Sequence, residues 1–196
     1  MNSKLFIFFG IFIEIASVIV TVFSAIALND SSEKAALAHF EQQIERGMQA
    51  ADNRLEQYKY ALISGAALFN IHPEISRDEW KSFVESLEIK KNYPGVSGFG
   101  YIRSIPSHEI DSFLSSARAN NAPEFKIKTL GTPPEGNRYI IDYIEPIAQN
   151  LPAQGLDIGS HVVRRKSADA AMTRGDAQVT NIIKLVQDNQ KLPGFL

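Results

Sequence analysis

Cysteine is absent from the 196 residues. That excludes disulfides, thiolate metal sites and cysteine nucleophiles together. A basic excess is missing too: Lys plus Arg is 20 and Asp plus Glu is 22, a formal net charge of −2. Nothing in that balance points to nucleic acid. Histidine is sparse, with His39, His72, His108 and His161 scattered and no i, i+4 pair of the kind that holds zinc. There is no phosphate loop. Asp157, Ser160 and His161 are serial neighbours, and serial neighbours do not make a triad. Enzyme, metal and cofactor readings therefore start without support.

The chain has one long apolar run, Leu5 to Leu28, LFIFFGIFIEIASVIVTVFSAIAL. About 20 helical residues span a hydrocarbon core, and in lipid only a helix satisfies the backbone of a single segment. The run predicts a transmembrane anchor over residues 1–30. A cleaved signal peptide is the rival, with Ala25-Ile26-Ala27 as its cleavage site, but the run is longer than a signal core. Lys4 precedes it, and Asn29, Asp30 and Glu33 follow. The positive-inside rule puts the N-terminus in the cytoplasm and the remainder in the periplasm or outside the cell. Glu14 lies within the span, either as a polar helix contact or as a tolerated, protonated acid.

From Ser31 to Asn70 there is no proline, and apolar residues recur every three or four positions: Phe40, Ile44, Met48, Ala51, Leu55, Tyr58, Leu62, Ala66, Phe69. This predicts a long amphipathic helix over 31–70, capped by Ser31 or Ser32. Its stripe must be buried, against a second copy or against the domain that follows. The expectation adopted is a parallel homodimer.

His72-Pro73 breaks that helix. Ser76 to Glu79 has capping-box spacing before Trp80, Phe83 and Leu87. Val96 to Arg103 reads as a strand, with Gly98 and Gly100 allowing close approach by backbone or ligand or, more simply, tight strand packing. Ser107 caps a helix through Ala117. Glu124 to Thr129 and Arg138 to Ile144 read as strands. Ser160 caps a helix ending at Arg174-Gly175. Ala177 to Val186 reads as a strand, Gln187 to Gly194 as a hairpin turn, and Phe195-Leu196 as a strand cut short. Mostly antiparallel strands with flanking helices over 71–196 make the class α+β.

Several words then occur in order: Pro94-Gly95-Val96 with Gly98-Phe99-Gly100-Tyr101, Tyr143-Ile144-Glu145-Pro146 with Asn150, Gly155-Leu156-Asp157 with Arg164-Arg165, Ala168 and Ala171, then Gly175, Thr180 and Leu185-Val186-Gln187. Together they resemble the CHASE family, the extracellular sensory domain of bacterial signalling proteins and of cytokinin receptors. The resemblance implies a PAS-like antiparallel sheet with flanking helices, in a two-lobed domain. The chain would supply the long helix and an incomplete membrane-distal lobe. The proximal lobe, a second span and a cytoplasmic output domain (histidine kinase, diguanylate cyclase or phosphodiesterase) would follow Leu196. The function implied is extracytoplasmic sensing of a small molecule. The alternative is a structural or protein-interaction periplasmic domain without a small-molecule ligand.

Asp157 is the leading candidate ligand contact. Its residue type alone favours a turn or cap, and the resemblance reverses that. Thr180 and Leu185 would face the pocket, or pack the core. Tyr139, Ile141 and Tyr143 alternate onto one strand face, lining a pocket or filling the sheet. A buried carboxylate at 157 calls for a ligand with an amine, amide or ring N–H. Arg164-Arg165-Lys166 could meet an anion at the helix start, though a solvated face is the simpler account. No catalytic residue, metal or cofactor is expected.

Overall fold

The computed structural model describes residues 3–133, 135–188 and 192–196. The chain divides into two compact units, Met1–Glu56 and Gln57–Leu196. One helix, α1 (Ser3–Ile71), runs without a break through the positions expected to separate anchor from stalk. Ser31 and Ser32 therefore lie inside a helix and not at its start. Asn, Asp and Ser are only mildly unfavourable in a helix interior, and the Ala, Glu and Lys that follow carry it on. Many side chains of the Leu5–Leu28 run lie outside the described residues. Among the described residues no helix is long and apolar enough to cross a membrane. The first unit leaves its stripe uncovered within one chain: Phe40 is 61% exposed and Met48 64%, with Ile44 and Leu55 also exposed.

The second unit starts with the last turns of α1. These pack through a face rotated from the predicted stripe. Ala61 and Gly65 are buried and Leu68 and Phe69 half-buried, whereas Leu62 and Ala66 are exposed. The reason is closeness. A Cβ on Gly65 would lie 3.1 Å from the Phe99 ring and 3.4 Å from Trp80, so only the small-residue face lets the helix reach the core formed by Trp80, Val84, Ile89, Phe99 and Tyr143.

Helix α1 stops just before His72-Pro73. Helix α2 (Arg77–Ser86) begins with the predicted capping box: Glu79 N–H donates to Ser76 Oγ at 3.3 Å, and Ser76 N–H to Glu79 Oε2 at 2.8 Å. Then follow α3 (Ile89–Asn92), β1 (Phe99–Ile105), a 3-10 turn (Ser107–Glu109), α4 (Ile110–Ala119), β2 (Lys128–Thr129), β3 (Arg138–Glu145), α5 (Ile147–Asn150), β4 (Leu156–Asp157), a 3-10 turn (Ile158–Ser160), α6 (Val162–Arg174), β5 (Ile183–Lys184) and β6 (Pro193–Gly194). Four strands form a sheet in the order β1-β3-β4-β2; β3 is antiparallel to β1 and β4, and β2 is parallel to β4. Strands β5 and β6 pair separately. The class is α+β, as expected.

Two strands are shorter than their sequences suggest. Only Lys128–Thr129 of Glu124 to Thr129 pairs, because Phe125 turns back toward Ala122 and buries its ring beside Phe113. Only Ile183–Lys184 of Ala177 to Val186 meets a partner strand. Residues 189–191 of the expected hairpin turn lie outside the described residues. Ser107 and Ser160 do not cap helices. The Ser107 hydroxyl donates to Gly136 O, and Ser160 is engaged elsewhere.

Strand β3 is central and buried along nearly its whole length. Opposite it, the register passes from Tyr101↔Tyr143 to Ile102↔Ile141, leaving Asp142 as the extra residue of a bulge. Past the bulge the side-chain alternation reverses. Tyr139, Ile141 and Ile144 share one cluster, Ile140 packs with α4, and Tyr143 joins the Trp80 core. Tyr143 therefore does not share a face with Tyr139 and Ile141. Asp142 is buried and bound by Arg77, whose Nη2 donates to Oδ1 at 2.7 Å and whose Nη1 donates to the Asp142 carbonyl. Arg77 Nε donates to Asn120 O at 2.8 Å, and the guanidinium lies 4.8 Å from the Tyr143 ring centre. Burial pushes the Asp142 carboxyl above its ordinary range, opposed by Arg77 and Arg103.

Two outcomes are expected in urea titrations read by the single tryptophan. Gly65→Leu overpacks the helix against Phe99 and costs about 1–3 kcal/mol. Arg77→Met strands the Asp142 carboxylate and costs about 3–5 kcal/mol, with partial recovery when Asp142→Leu is added.

Candidate functional site

The turn that carries Asp157 is built by glycine. Gly155 has φ +76°, and a Cβ there would meet Lys126 O at 2.1 Å, so no other residue fits. Its N–H donates to Ile141 O at 2.8 Å, and its carbonyl accepts from Lys128 N–H at 2.9 Å. This places Asp157 beside Ile140 of β3 and Thr129 of β2, where three strands meet.

Asp157 is 0% exposed. Its carboxylate accepts from Tyr139 N–H (3.0 Å), Gly159 N–H (2.9 Å) and Arg138 Nε. Its carbonyl accepts from the Ser160 hydroxyl at 2.6 Å, and Ser160 Oγ accepts from Leu130 N–H at 2.9 Å. Three donors from within the fold thus meet this buried carboxylate and tie together the strands around it.

The remaining expected contacts divide. Tyr139 and Ile141 lie with Ile144, Leu156 and Ile158 on one apolar sheet face, which Ala168 of α6 and Val186 also meet. The Tyr139 hydroxyl donates to Asp169 Oδ1 at 2.6 Å, and the Arg165 guanidinium lies 5.0 Å from its ring centre. Burial, with the Asp169 carboxylate, pushes the Tyr139 phenol above its ordinary pKa. Tyr143 is on the other side, its hydroxyl donating to Ile75 O. Thr180 is buried but paired with Leu196: its N–H donates to Leu196 O at 2.8 Å, and its Oγ1 accepts from Leu196 N–H at 3.0 Å. Leu185 packs on Gly194, while its neighbour Val186 reaches the apolar face.

Arg164 is a further buried residue of α6. It lies one turn before Ala168, on the same side of α6, and is 3% exposed. Nη2 donates to Lys184 O at 2.7 Å; Nε is sealed from solvent without a partner. Burial pulls its pKa below the ordinary guanidinium value. Among the described residues Trp80 Nε1, Asn150 Oδ1 and His161 Nδ1 are also buried and unpartnered. An unpaired neutral atom such as Trp80 Nε1 or Asn150 Oδ1 costs about 1–3 kcal/mol, whereas a buried charge without a counter-ion costs more. The i, i+4, i+7 series Arg164, Ala168, Ala171 was visible in the sequence, and read as a stripe it marks the inward face of α6.

Two clefts open elsewhere in this unit. One, of about 180 Å³, is lined by Arg77, Asp78, Lys81 and Glu145; the other, of about 340 Å³, runs between the end of α1 and β1 past Gly65, Phe69, Phe99 and Tyr101. The first is smaller than a usual ligand site, and the second lacks charged groups to orient a ligand. Among the described residues no His, Asp or Glu cluster could hold a metal.

Asp157→Ala removes the partner of Arg138 and of two backbone N–H groups. Thermal unfolding should show a loss of about 3–5 kcal/mol, the range for breaking a buried pair. A fully stable variant would contradict the organising role.

The model of one protein family, described as CHASE domain, matches residues 73–196. No curated protein matches the chain.

Proposed function

The chain belongs to the CHASE domain family, and from that premise we propose that it is the ligand-sensing part of a membrane-anchored receptor. The family is sensory and not catalytic, and this membership is the observation that carries the reading. In the proposal the sheet and its helices are the membrane-distal, PAS-like lobe. A small molecule binds on the apolar face under α6, with Tyr139, Ile141, Ile158 and Val186 as its wall. Asp157 holds the strands that bear them.

The Leu5–Leu28 run anchors the chain in the cell membrane, with the lobe on the extracytoplasmic side. Its length and the preceding Lys4 support this. The output is a cytoplasmic histidine kinase or cyclic-dinucleotide enzyme. Ala61 and Gly65 of α1 sit in the Trp80 core, so repacking of that core on binding acts on a helix continuous to Ser3. Two copies pair in parallel through the stripe. The exposure of Phe40, Ile44, Met48 and Leu55 supports pairing, because apolar residues repeated at helical spacing favour a covered face.

The absence of cysteine permits a clean test. Ile44→Cys introduced alone should cross-link between copies in membranes under mild oxidation. Adding Met48→Asp and Leu55→Asp should abolish the cross-link. A small molecule that raises the melting temperature should also change the cross-linking rate. Cross-linking that ignores every stabilising molecule would favour an assembly domain that does not sense ligands.

A further inference from the structure

We infer that Arg164 is the anchor for a carboxylate on the molecule that the sheet face under α6 receives. This rests on the sensor reading above and deepens it by naming the chemistry of the ligand.

Arginine is seldom fully buried without a partner, yet Arg164 is 3% exposed and, among the described residues, bonds only to the Lys184 carbonyl. No carboxylate lies within ion-pairing distance among the described residues. The acids close to α6 are already engaged: Asp169 with Arg165 (3.6 Å) and the Tyr139 hydroxyl, Asp157 with Arg138 and two backbone N–H groups. The fold thus buries positive charge on the inward side of α6 and, among the described residues, supplies no negative charge to meet it.

The donor geometry selects among anions. A guanidinium is planar and rigid and presents paired N–H groups that match the two oxygens of a carboxylate. Nε is free and Nη2 holds only a neutral carbonyl, which an incoming carboxylate can replace with a charge-assisted bond. The apolar side chains of Tyr139, Ile141, Ile144 and Ile158 would take the body of the same molecule. This is the reverse of the polarity that a free Asp157 would select. Asp157 already has its donors, and Arg164 still lacks an anion.

The test uses the full chain in detergent, with unfolding followed by the fluorescence of Trp80. The probes are acetate, succinate and benzoate, each beside its uncharged amide: acetamide, succinamide and benzamide. At least one carboxylate should raise the melting temperature saturably where its amide does not. Arg164→Met should weaken that effect by about 10- to 150-fold, the loss expected for a hydrogen bond to a charged group. Arg174→Met, exposed at the far end of α6, should retain it. If Arg164→Met does not fold, Arg164→Lys keeps the charge without the planar fork and should still weaken binding.

An amide as effective as its carboxylate, or a carboxylate effect that survives in folded Arg164→Met or Arg164→Lys, overturns the inference and leaves the sensor reading standing. No effect from any carboxylate also overturns it. The sensor reading falls separately, if position 44 cross-linking never responds to a stabilising molecule.

Discussion

The second unit is organised around the bulge at Asp142 and the arginine that holds it. Asp142 sits in the middle of the central strand, where a charge is costly, and Arg77 meets both its side chain and its carbonyl. Arg77 is the first residue of α2 and also reaches the end of α4 through Asn120. One guanidinium therefore ties two helices to the sheet at the point where the strand changes its alternation. A buried pair of this kind adds little net stability over apolar packing. What it does here is position the strand. With the extra residue in place, Tyr143 turns toward α1 and α2 and Ile144 toward α6, and with Ile140 packed against α4 one strand serves three separate cores.

Two of these cores lie on opposite sides of β3. The Trp80 core takes in the last turns of α1, through residues small enough to let aromatic rings touch the helix. The Tyr139 core is met by Ala168 of α6, and Arg164, one turn earlier in α6, is buried with its Nε unpartnered. Strand β3 is common to both. A molecule that changes packing on one side of β3 has a short route to the other, through a strand pinned at Asp142 and at Asp157.

Arg164 and Asp157 show how residue type can mislead about environment. A carboxylate flanked by glycines looks available, and an arginine in an Arg-Arg-Lys run looks solvated. In the fold the carboxylate has three donors and the arginine is sealed in. Hydrogen-bond supply decided the first and helix rotation the second. Neither is a local property of the sequence.

The sequence by itself determined what depends on neighbours a few residues apart. The break at His72-Pro73, the Ser76–Glu79 capping box, the left-handed Gly175 that ends α6, the α+β class and the CHASE resemblance were legible, because caps, turns and periodicity are short-range. The face that α1 presents, the shortening of the strands at 124–129 and 177–186, and the Asp142 bulge were not. These follow from which partner each segment meets: Gly65 admits Phe99, Ile183 finds Pro193, and Arg77 draws Asp142 out of register. Only the tertiary structure decided that Tyr139 and Ile141 face α6 while Tyr143 does not, because one extra residue in a strand moves every later side chain to the opposite face.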